Sequence, residues 1–95
     1  MGKDKEKDEM MRSTLYKALL LCENEREMAE LLSDLCTYKE IDQMAQRIAA
    51  AKLLKEGKTY AEIIEDTEIS SATLSRVSRC LQRGSGGYER IVEKI

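Results

Sequence analysis

The chain is 95 residues long, which allows one domain and only a modest core if it folds alone. It has no proline, tryptophan or phenylalanine, is 36% charged, and is rich in unbranched helix formers, so an all-α fold is expected. The formal charge of −2 excludes indiscriminate polyanion binding. It hides a local imbalance, however: residues 59–69 carry −4 and residues 70–95 carry +3.

Residues 1–9, MGKDKEKDE, alternate in sign and lack apolar periodicity, so a disordered or frayed charged tail is expected ahead of a domain at 10–95. From Met10, the residues Met11, Leu15, Ala18 and Cys22 form a helical stripe, widened by Leu19, Leu20 and Leu21. Asn24 can cap a second helix, whose Met28, Leu31, Leu32 and Leu35 repeat at i, i+3, i+4, i+7. Thr37-Tyr38-Lys39-Glu40 has the spacing of a capping box, opening a helix to about Lys55 that stops at Gly57. That central helix is apolar on most sides.

Thr59-Tyr60-Ala61-Glu62 is a second capping box. It starts a short helix with Ile63 and Ile64 that ends near Thr67. After Glu68 and Ile69, Ser70 or Ser71 can cap a helix running SATLSRVSRCLQR. Gly84-Ser85-Gly86-Gly87 then breaks the chain before a last short helix with Ile91, Val92 and Ile95. Six helices result.

Residues 59–83 have the order of a helix-turn-helix. At 100° per residue, Leu74, Val77 and Leu81 share the face expected to pack inward, while Ala72, Arg76, Arg79 and Arg83 lie nearly opposite. Ser70, Ser71, Ala72 and Thr73 form the tip. Small polar residues let a helix N-terminus approach base edges in the major groove, and arginines suit phosphates or guanine. The candidate DNA-binding residues are therefore Ser70, Ser71, Ala72, Thr73, Ser75, Arg76, Arg79 and Arg83. A solvated charged face on an ordinary bundle helix is the bland alternative. A helical protein-interaction module that uses the acidic Glu62, Glu65, Asp66 and Glu68 instead of touching DNA is the functional one.

Other chemistry has little support. Cys22, Cys36 and Cys80 lack CxxC spacing and histidine is absent, so neither a zinc site nor another cofactor is expected. No nucleophile–base pair or phosphate loop is recognisable, so no catalytic residue is assigned. Nothing resembles a signal peptide or a membrane span, and a reducing cytoplasm is the expected compartment.

Thr37-Tyr38-Lys39-Glu40, Gln46-Arg47-Ile48, Leu53-Leu54-Lys55-Glu56-Gly57 and Ser71-Ala72-Thr73-Leu74-Ser75-Arg76 together resemble the Trp repressor superfamily. Residues 36–83 look like its core, and 10–95 is similar to its YerC/YecD-like branch. The resemblance implies a six-helix protomer interlocked with a second copy, acting as a bacterial sequence-specific transcriptional regulator, a repressor in kind. It also implies that Ala72, Thr73 and Ser75 face DNA, and that any effector pocket involves Thr37, Arg47, Arg76, Val77 and Cys80. Arg47 and Arg76 match the arginines that sandwich tryptophan in Trp repressors. Val77 replaces the glycine that leaves room for the ring, and Cys80 replaces a serine that helps hold the amino group, so tryptophan is not expected to bind. Glu62 and Glu65 replace basic residues, and Glu68 stands where the turn usually has glycine. The broad apolar faces at 10–22 and 37–55 also call for a homodimer, whose two-fold axis implies a palindromic site in double-stranded DNA.

Overall fold

The computed structural model describes residues 2–95, with side chains from Asp4 onward. Six α-helices follow in order: α1 Gly2–Leu21, α2 Glu25–Leu35, α3 Tyr38–Lys55, α4 Tyr60–Thr67, α5 Ser71–Arg83 and α6 Gly87–Val92. There is no strand among the described residues. The chain divides into two compact units, Met1–Tyr38 and Lys39–Ile95.

The first unit holds α1 and α2. Helix α1 begins at Gly2, well ahead of the start near Met10 that apolar periodicity suggests. Of the charged tail, Met1 lies outside the described residues; residues 4–9 are helical and exposed. Lysine and glutamate lose little rotamer freedom in a helix, and extending one already nucleated at 10–21 adds no nucleation cost. Asn24 caps α2 as expected, its side chain accepting the Glu27 N–H at 2.9 Å, while the Glu27 carboxylate accepts the Glu23 N–H at 2.8 Å. No described side chain of this unit is buried. Met10 is 71% exposed, Leu20 83% and Leu21 78%, while Ala18, Leu19 and Cys22 of the same apolar arc are half-buried.

The second unit contains the core: Ala50 and Ala51 of α3, Ile63 of α4, Ile69 of the following turn, Leu74 and Val77 of α5, and Val92 of α6. Ile48, Leu53, Leu54, Ile64, Leu81 and Tyr88 pack around it, half-buried. Each large aliphatic side chain in such a cluster contributes about 1.5–3 kcal/mol. Helix α3 ends at Gly57, whose φ of 86° is the left-handed geometry expected there. The Gly57 N–H bonds Leu54 O and the Lys58 N–H bonds Leu53 O, each at 3.1 Å, closing a Schellman motif. Lys55 forms an exposed ion pair with Glu89 of α6.

Replacing Ile63 with alanine empties the centre of this cluster. Ile63→Ala is expected to cost about 3 kcal/mol, read as a lower urea midpoint at unchanged slope.

Candidate nucleic-acid interface

Helix α4 starts at the capping box foreseen in the sequence. Thr59 Oγ1 accepts the Glu62 N–H at 3.2 Å, and Glu62 Oε1 accepts from the Thr59 N–H and hydroxyl, each at 3.0 Å. The Thr59 N–H, then the Thr59 hydroxyl and the Lys58 charge, hold the Glu62 carboxyl below its ordinary value against an opposing effect of desolvation. This acid therefore closes the helix start.

Helix α4 ends in a tight turn. Glu68 adopts φ 62° and ψ 17°, the only positive φ at a non-glycine among the described residues, and its N–H bonds Ile64 O at 2.8 Å. A β-carbon in this region costs about 1 kcal/mol relative to glycine. Three bonds brace the turn. The Thr67 hydroxyl donates to Ile63 O at 2.7 Å, the Ile69 N–H donates to Thr67 Oγ1 at 3.2 Å, and Gln46 Nε2 of α3 donates to Thr67 O at 3.1 Å. The sequence marked Gln46 only as part of a resembling stretch and Thr67 only as a helix end, and the bond between them was missed. The available signal was Gln46 itself, an amide one turn before the buried Ala50 on the same helix face.

Ser70 then caps α5, its Oγ accepting the Thr73 N–H at 3.1 Å and donating to Thr73 Oγ1 at 2.8 Å. The tip serine and threonine hydroxyls are thus tied to each other, with Thr73 half-buried and Ser70 exposed. Leu74 and Val77 sink into the core and Leu81 packs on it, which rotates Ser71, Ala72, Ser75, Arg76, Arg79 and Arg83 to the exposed side. No ion pair engages Arg76, Arg79 or Arg83 among the described residues. With Cys80, Gln82 and Gly84 these three arginines line an open concavity of about 350 Å³. The arrangement offers a helix tip of small side chains and a row of unneutralised guanidinium groups to one anionic surface.

Within the second unit, the candidate effector residues do not share one recess. Arg76 and Cys80 border the arginine-lined concavity. Arg47 borders a separate recess of about 250 Å³ with Gln43, Gln46, Glu68, Ser70 and Thr73. Val77 is 2% exposed within the core, and Thr37 is exposed in the other unit.

A capped short helix, a tight turn and a basic, outward-facing second helix follow one another in the order of a helix-turn-helix. Residues 11–95 match the Trp repressor protein family, and the chain belongs to it. It is 40% identical over 81 residues to the uncharacterized protein YerC of Bacillus subtilis, spanning 85% of this chain and 78% of that one. Among solved structures it resembles a candidate Trp repressor from Staphylococcus aureus, with a TM-score of 0.86 and 40% identity over 90% of this chain and 85% of that one. It also resembles a TrpR-like protein from Eubacterium eligens, with a TM-score of 0.83 and 40% identity over 86% and 84% of the two chains.

Two expectations follow. Because the folded Glu62 carboxyl is more acidic than in the unfolded chain, its stabilising contribution is full above the ordinary carboxylate range and fades as pH falls through the lowered value. Thr59→Ala should therefore lower stability at neutral pH and flatten the acid limb of the stability–pH curve, as urea titrations from pH 7 to pH 3 would read. L-Tryptophan should give no binding heat at micromolar concentration in calorimetry, since the core occupies the Val77 position and Arg47 and Arg76 border different recesses.

Proposed function

We propose that this chain is a homodimeric, sequence-specific DNA-binding regulator of the bacterial cytoplasm, a repressor in kind, which inserts the N-terminal turn of α5 into the major groove. Residues 10–95 then act as one DNA-binding domain, with 59–83 as its helix-turn-helix and the charged residues 1–9 leading into it. The observation that carries this reading is the rotation of α5. Its apolar side is anchored in the core, and its free side presents Ser71, Ala72, Ser75 and three arginines without ion-pair partners. Membership of the Trp repressor family supports it.

In this reading the Ser70–Thr73 pair holds the helix tip, and the N–H groups of Ser71 and Ala72 are left to meet a phosphate. Ser71, Ala72 and Ser75 meet base edges, and Arg76, Arg79 and Arg83 supply phosphate or guanine contacts. A second copy covers the exposed apolar stripes of α1, and its two-fold axis sets two recognition helices about 34 Å apart on a palindromic site. The rival protein-interaction reading draws on the acidic side chains of α4, but one of them, Glu62, closes the capping box.

Arg79→Ala should weaken specific binding and lower the salt slope by about 0.9 for each phosphate contact removed. Gel shifts against genomic fragments at two salt concentrations, run with light scattering, check both claims. A stable monomer removes the dimer, and binding to no fragment at either salt removes the DNA reading.

A further inference from the structure

We infer that Glu68 reads a base, accepting a hydrogen bond from the exocyclic amino group of a cytosine at one position in each half-site. The inference rests on the DNA-binding reading above and assigns a specificity residue outside the recognition helix. Glu68 sits in the turn between α4 and α5, exposed, at the left-handed φ of 62° that glycine would adopt without strain. Its carboxylate has no hydrogen bond or ion pair among the described residues, so no contact within the protomer explains a charged side chain at this strained position. Strain of this kind collects where function requires a particular side chain.

Position decides which contact that is. Glu68 lines the recess of about 250 Å³ shared by Ser70 and Thr73 at the tip of α5 and by Gln43, Gln46 and Arg47 of α3. A carboxylate at the rim of a duplex-facing tip repels phosphates, so an electrostatic role in docking would run against its charge. Among the groups exposed in the major groove, a carboxylate, which only accepts, matches the amino donors. Cytosine N4 is the donor that Glu and Asp characteristically take, whereas adenine pairs its donor with an acceptor and favours an amide. Arg47 lines the same recess without an ion-pair partner and offsets the repulsion between Glu68 and the flanking backbone. The recess thus presents one anionic acceptor for a base and one cation for the strand that carries it.

The test is selection of bound sequences from a random duplex pool by the full-length chain, at one fixed salt concentration, for the wild type and three variants. Wild type should enrich a site with a cytosine preference at one position per half-site. Glu68→Gly, which also relieves the backbone strain, should keep the rest of the site but lose that preference, by about tenfold in titrations of matched duplexes. Glu68→Gln should move the preference from cytosine towards adenine. Glu65→Gln, which removes a neighbouring charge outside the recess, should leave the selected site unchanged. An unchanged site in both Glu68 variants overturns the inference while leaving the DNA reading intact. Failure of the wild type to enrich any sequence overturns both.

Discussion

The structure depends on the apolar seam that fixes the rotation of α5 about its own axis. Leu74 and Val77 enter the core beside Ile63 and Ile69, and that contact alone decides that Arg76, Arg79 and Arg83 face outward. Ala50 and Ala51 are fully buried on the α3 side of the seam. Larger side chains at these two positions would overpack a filled core. A helix anchored along one stripe cannot roll without exposing leucine and valine. The outward face is therefore as well specified as the inward one.

Val77 adds a second consequence. Its side chain occupies the core, so this segment of α5 is positioned by side chains of the chain itself. The turn is held in the same way. Thr67 bridges the end of α4 to Ile69, Gln46 ties the same turn to α3, and the Ser70–Thr73 pair closes the start of α5. Interactions of modest individual strength fix the tip because each removes a different freedom: the exit direction of α4, the turn's distance from α3, and the first turn of α5.

Much of this was legible in the sequence, for local reasons. The Thr59–Glu62 capping box, the stop at Gly57 and the face bearing Leu74, Val77 and Leu81 depend on residues within one or two helical turns, so spacing reveals them. The positive φ of Glu68 was legible from the resemblance, because that turn usually has glycine. Two kinds of feature were not legible. Helix α1 reaches back to Gly2 through residues with helix propensity but no apolar period, and periodicity is silent there. The bond from Gln46 to Thr67 joins positions 21 apart, and the assignment of Arg47 and Arg76 to different recesses depends on how α3 lies against α5. Neither depends on local pattern.

The acidic charge of α4 and its turn is best understood beside the basic face of α5. Residues 59–69 carry −4 next to a segment carrying +3. Non-specific DNA affinity comes almost wholly from phosphate neutralisation, so acidic side chains close to the duplex lower it on every sequence alike. Contacts to base edges are untouched by that loss, since they act only where the right base stands. A regulator needs a high ratio of specific to non-specific affinity more than it needs raw affinity, because each operator competes with a genome of other sites. At physiological ionic strength charges act over about 8 Å, so only those beside the docked surface count and the chain's overall −2 does not. In the proposed reading, an acidic first helix flanking a basic second one sacrifices general attraction and leaves discrimination to the tip of α5 and the turn before it.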